Sequence, residues 1–226
     1  MNIALAMLNI FIDPKASVDR FAGKKFAWVA PVLLMGVVSA VISWLTVPIV
    51  IRIMMLNPPE GVQPDELEQS IGMIAMFQKV ASVFSPVVIA VMLLLSAAVL
   101  LATCSIMDIK ATLGDLYNLV AFCSLVSFVQ AVATGVVVYQ QRDDIHNFAE
   151  LQPAFGLNLL LPEGSNRVLD GFLGYFSIFT IWYIVILALA FAYLVKVPRG
   201  KAFAATAPVW LVGLVFALIG SLFRPA

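Results

Sequence analysis

Charge is what this chain lacks. Five stretches, residues 26–51, 80–107, 116–141, 171–195 and 202–223, contain no Asp, Glu, Lys, Arg or His. Each exceeds the roughly 20 residues that carry a helix across a bilayer's hydrocarbon core. A water-soluble domain would alternate polar and apolar faces instead. The absence excludes an aqueous fold and predicts an all-α integral membrane protein with five transmembrane helices, whose backbone groups pair within each helix. An interior without ionisable side chains also excludes most catalytic and ion-coupled chemistry at that depth.

Histidine is nearly absent as well. His146 is the only one, next to Asp143 and Asp144 in a hydrophilic connection, where it reads as solvent-exposed. A serine or cysteine nucleophile would have no other histidine to serve as its base. The two cysteines, Cys104 and Cys123, fall in apolar stretches and read as small buried residues, not as a disulfide or a metal site. No glycine-rich phosphate loop occurs. These gaps predict a chain that is not an enzyme and carries no cofactor or metal.

What is present agrees. Apolar residues make up 62% of the 226, charged residues 12%, and the mean hydropathy is +1.03. Thirteen basic and thirteen acidic residues leave no net charge and no footprint for nucleic acid. The length divides into an N-terminal segment, 1–25, and a five-span membrane domain, 26–226. Residues 1–12 have neither a basic leader nor a small-residue cleavage site before Asp13, so they are expected to stay in the mature protein.

The connections alternate in length. Those near 57–79 and 142–170 are long, and 108–115 and 196–201 are short. Eight basic residues share the side of the short loops: Lys15, Arg20, Lys24, Lys25, Lys110, Lys196, Arg199 and Lys201. Five lie on the other side: Arg52, Lys79, Arg142, Arg167 and Arg224. Glu60, Asp65, Glu66, Glu68, Asp143, Asp144, Glu150, Glu163 and Asp170 join them there. The positive-inside rule then puts the N-terminus in the cytoplasm and the C-terminus outside, in the periplasm or beyond the cell.

The N-terminal segment reads as a separate device. Asp13-Pro14 is an N-cap followed by proline at the first helical position. Val18, Phe21 and Ala22 share one face, with Lys15, Asp19 and Arg20 elsewhere. This predicts an interfacial amphipathic helix on the cytoplasmic leaflet, with Phe21 in the membrane surface and Lys15, Arg20, Lys24 and Lys25 among the headgroups. Pro64-Asp65-Glu66 starts a further helix that should extend the second span outward, and Pro48 and Pro86 should kink the first two spans. The apolar run 153–162 should dip into the outer interface or pack over the bundle. Asn118 and Gln130 should join helices through hydrogen bonds, and Gly36 with Ala40 should allow close approach. Trp44, Trp182 and Trp210 lie deep and should turn their ring N–H groups toward helix neighbours.

One ionisable cluster lies near the bundle. Asp108, Lys110 and Asp115 in one short loop, and Lys196, Arg199 and Lys201 in the other, are candidates for interfacial pairing or for docking a cytoplasmic partner. Asp108 or Asp115 is expected beside Lys196 or Lys201.

Four stretches carry a family likeness: Asp13-Pro14 with Phe21 and Pro31; the loop 108–114 running into 116–124; residues 176–182; and Lys201-Ala202 with Trp210. In order and spacing the chain resembles the bacterial branch of the Ypt-interacting-protein (Yip) domain family. The resemblance implies five spans and a cytoplasmic N-terminus. Eukaryotic members, associated with small GTPases and vesicle traffic, carry Asp-Leu-Tyr-Gly-Pro. Here Asp115-Leu116-Tyr117 is followed by Asn118 and Leu119, so GTPase partnership is not carried over. Members often have an acid before the phenylalanine entering the fourth span, where this chain has Tyr175. Some bacterial members work beside ABC-type exporters. The resemblance supplies no catalytic residues.

The function expected is therefore that of a scaffold or accessory subunit in a bacterial inner membrane. Its partners would be the bilayer and another membrane protein, such as an exporter component, or a second copy of itself. A small transporter or lipid-handling protein is the alternative.

Overall fold

A computed structural model describes residues 3–58, 61, 63–162 and 166–222. Glu60, Glu163, Phe223 and Arg224, used above for charge and span limits, lie outside the described residues. The helices are α1 (Ile3–Asn9), α2 (Pro14–Phe21), α3 (Val29–Leu56), α4 (Pro64–Val83), α5 (Ser85–Ile106), α6 (Leu113–Gln140), α7 (Arg167–Tyr175), α8 (Ile178–Val195) and α9 (Arg199–Leu222). Five of them, α3, α5, α6, α8 and α9, are long and apolar enough to cross a membrane. Their outward faces carry bare apolar side chains, such as Ile106 at 83% and Ile178 at 71% exposure. Water would not tolerate so much apolar surface, and lipid covers it without penalty. This is a multi-pass membrane protein.

α6 is the centre of the bundle and packs on α3, α5 and α8. Leu116, Leu119, Val120, Ala121, Phe122 and Cys123 are buried on it, and Leu100, Cys104, Leu187 and Phe191 join them from α5 and α8. Both cysteines are free and buried. Close packing of α3 on α5 depends on Gly36, where a Cβ would come within 2.9 Å of the Pro86 backbone. Ser85 donates from its hydroxyl to the Gly36 carbonyl at 2.9 Å. Gly36 therefore meets a proline on the neighbouring helix.

Three boundaries differ from the sequence expectation. α4 does not extend the second span. It stops at Val83, and α5 starts afresh at Ser85, because Pro86 has no N–H for the preceding turn. The second span thus begins at 85 instead of 80, while Pro48 stays inside an unbroken α3. The fourth stretch is likewise two helices. Phe176 (φ −81°, ψ 60°) makes a three-residue turn in which the Ser177 N–H donates to the Tyr175 carbonyl. Ser177 then caps α8 by accepting from the Thr180 N–H. The first span runs on to Leu56, because Arg52 sits within its last turns and donates to the Ile145 carbonyl at 2.7 Å and to the Arg142 carbonyl.

The long connection folds over the bundle in its described part, 141–162. Gly156 pairs with Ser177 in a single β-bridge, and Phe155 packs edge-on against Phe179 at 6.0 Å. Leu159 and Leu160 point outward at 68% and 82% exposure. His146 is exposed, as expected; its N–H donates to Glu150 and its carbonyl accepts from Asn57. Of the three deep tryptophans, Trp44 keeps its ring 59% exposed while donating to Ser82 on α4.

Candidate docking face at the short-loop end

Two turns of the same design close the short-loop end. α5 ends with Asp108 at φ +52°, and the Ile109 N–H donates to the Cys104 carbonyl at 2.9 Å. α8 ends with Lys196 at φ +55°, and the Val197 N–H donates to the Ala192 carbonyl at 3.2 Å. These are left-handed helix stops that satisfy carbonyls of the last turn, and they use non-glycine residues. The turns fix the backbone and aim the side chains of Asp108, Lys110, Lys196, Arg199 and Lys201 outward, where all five are exposed.

The expected ion pairs do not form. Among the described residues the only salt bridges join Asp143 to Arg52 and Arg142, at the long-loop end. Asp108 stops α5 with its backbone, and its side chain is exposed. Asp115 turns away from Lys196 and Lys201 toward the N-terminal segment. Its Oδ1 accepts from the Gly23 N–H at 3.1 Å, and its Oδ2 accepts from the Thr112 hydroxyl at 2.7 Å. Thr112 in turn accepts from the Asp115 N–H, so the pair caps α6 reciprocally. Gly23 has φ +71°, a conformation that favours glycine.

Asn118, three residues on and fully buried, completes the clamp. Its side chain donates to the Lys24 carbonyl at 2.6 Å and accepts from the Trp28 N–H at 2.9 Å. Tyr117 packs at a tilt against Trp28, ring centres 4.8 Å apart, and donates to the Ala90 carbonyl at 3.0 Å. The first two turns of α6 therefore tie together the N-terminal segment, the entry to α3, and α5. Sequence reasoning assigned Asn118 to helix–helix packing and missed this role. A readable signal was Asp115 and Asn118 at i, i+3 on an otherwise apolar helix, since backbone turned out of a helix needs partners.

The apolar face of α2 is covered by protein and not left open to lipid. α1 folds back on α2 as a hairpin, with the Ser17 hydroxyl donating to the Ala6 carbonyl at 2.8 Å. Asp13 caps α2 as expected, accepting from the Ala16 N–H at 3.0 Å, with Pro14 at the first position. Phe21, expected in the membrane surface, is fully buried and stacks on Phe122 at 4.6 Å. Phe11 lies 5.6 Å from Trp182 of α8. The apolar face of α2 finds a protein partner because Ala6 and Ile10, both fully buried, close the hairpin around it. Phe122 is nine residues into α6, about 14 Å along the helix at ~1.5 Å per residue, so the hairpin lies alongside the bundle. Lys15 and Lys25 are exposed, and Arg20 and Lys24 half-buried; the Arg20 guanidinium donates to the Ala16 carbonyl at 3.2 Å.

The described residues thus present exposed charge without ion pairs at this end, mostly basic. A comparison with known families matches residues 8–220 to the Yip1 domain. No curated protein and no solved structure matches the chain.

Proposed function

The chain belongs to the Yip1 domain family, and from that premise we propose a non-enzymatic accessory or scaffold subunit of a bacterial cytoplasmic membrane. It works beside another membrane system, such as an ABC-type exporter, with its short-loop end facing the cytoplasm. The observation that carries this reading is the set of exposed charges at 108, 110, 196, 199 and 201, borne by the two short connections and the first turn of α9 and without ion pairs among the described residues. Turns already set in the backbone spare a partner the cost of ordering the loops, leaving only the side chains to be fixed on binding. Basic residues outnumber the one acid, so the surface favours an acidic partner. Lys15, Arg20, Lys24 and Lys25 add basic charge on the hairpin, available to anionic headgroups as well as to a partner.

The test is copurification from mild detergent. Wild type should retain a membrane-protein partner in fixed proportion at low salt and release it at high salt. Arg199→Gln with Lys201→Gln, which leaves Lys196 to hold topology, should lose most of that partner while the protein accumulates and melts as wild type does. Equal recovery with both forms, or recovery of no partner, would remove the scaffold reading.

A further inference from the structure

At the other end of the bundle two cavities share one wall. The lower, about 320 Å³, lies among α5, α6, α8 and α9 and is walled by Ser96, Ser127, Tyr183, Trp210 and Phe216. The upper, about 250 Å³, lies under the long connection and is walled by Gln130, Thr134, Gln152, Phe155 and Asn158. Tyr175 belongs to both walls, with its hydroxyl donating to the Trp210 carbonyl at 2.6 Å. Gly213 makes room for it, since a Cβ there would sit 2.7 Å from that hydroxyl. The lower space is mainly apolar, and the upper is rich in amides.

Buried polar atoms in native proteins nearly always have partners. Among the described residues three buried side-chain atoms do not, and two of the three are on residues that line these cavities: Asn158 Oδ1 above and Trp210 Nε1 below. The first accepts and needs a donor. The second donates and needs an acceptor. No Asp, Glu, Lys, Arg or His lines either cavity. Beside the upper cavity the Asp170 carboxylate accepts from the Asn158 amide at 3.0 Å. An anionic head would meet no cation and would face that carboxylate. A protonated amine would find no carboxylate in the walls.

We infer that the two cavities form one site for an uncharged acyl-ester lipid with a free hydroxyl, of the glyceride class. The hydroxyl donates to Asn158 Oδ1, an ester oxygen accepts from Trp210 Nε1, and the acyl chain fills the lower cavity along α5 and α9. The ligand lies against the Tyr175 ring. Each volume falls near the low end of the ~300–1,000 Å³ usual for ligand sites, in keeping with one chain and a small head. This site is independent of the docking face at the short-loop end and stands whether or not that face binds a partner.

The test uses the full chain in phosphatidylcholine nanodiscs. Tryptophan fluorescence is titrated with a monoacylglycerol whose chain is brominated, and with phosphatidylglycerol and a free fatty acid bearing the same chain. The glyceride should quench saturably, with half-saturation at least about tenfold below either charged lipid, and Trp210→Phe should remove the saturable part. Asn158→Leu should raise half-saturation about tenfold, as when a site built around a hydrogen bond loses it. Ser127→Leu, at an exposed wall position, should fold normally and also weaken binding by narrowing the lower cavity. Equal half-saturation for all three lipids, tighter binding of a charged one, or no effect of Ser127→Leu and Asn158→Leu would show annular lipid only and overturn the assignment.

Discussion

Asn118 shows how one polar side chain in an apolar helix can organise a bundle. It satisfies one donor and one acceptor on backbone that has left helical geometry between α2 and α3. Deleting it leaves both groups unpaired in a buried setting, and each such loss costs about 1–3 kcal/mol. Asn118→Ala should therefore destabilise the protein by about 2–6 kcal/mol. A lowered melting temperature in detergent, together with faster proteolysis between 20 and 28, would show this. Melting like wild type would mean the clamp contributes nothing. Glu150 acts on a smaller scale. Its carboxyl is held below the usual range, first by the backbone N–H of His146, with burial opposing and Asn147 then adding hydrogen bonds. A lowered folded pKa gives stability that is present above the unfolded value, about 4.3 for a glutamate, and is lost as pH falls through the folded value. Hydrogen exchange in 145–151 should hold steady from about pH 7 to about pH 5, once corrected for intrinsic rates, and rise only below about pH 4. Glu150→Gln should abolish that dependence.

At the scale of elements, hydrophobic length was readable and packing partners were not. Five apolar runs gave five spans because a lipid-facing helix must be apolar on all sides, so its signal does not depend on neighbours. The break at Phe84 was readable from Pro86 as a kink and not as the end of a helix, and the break at Phe176 stayed hidden because it does not interrupt the apolar run, although Ser177 carried the local chemistry. The docking of α2 stayed hidden for the opposite reason. An apolar face alone does not say whether lipid or protein will cover it. The charged cluster was readable as a group, but its pairing was not, because Asp115 could meet a backbone N–H as well as a lysine. Spin labels separate the two settings for α2. Labels at Lys15 and Asp19 should be mobile and open to aqueous relaxants. Labels at Val18 and Phe21 should be immobile and shielded from both water and lipid-soluble oxygen. High oxygen accessibility at 18 and 21 would restore the picture of a helix lying in the leaflet.

For the whole molecule, the organisation is a bundle with two unlike ends. One end has tight left-handed stops, unpaired charge and the clamped hairpin. The other has a folded connection over a pair of cavities. The docking proposal depends on which side of the membrane the short-loop end faces. Orientation rests on the basic bias of the short loops, eight residues against five. Single-cysteine labelling of the full chain with a membrane-impermeant maleimide measures it directly, since Cys104 and Cys123 are buried and should stay silent. Lys110→Cys and Lys201→Cys should be protected in intact cells and labelled after permeabilisation, while Glu68→Cys should be labelled from outside. Labelling of Lys201→Cys in intact cells would contradict the account, because the exposed basic loop would then face away from the cytoplasm and any partner there.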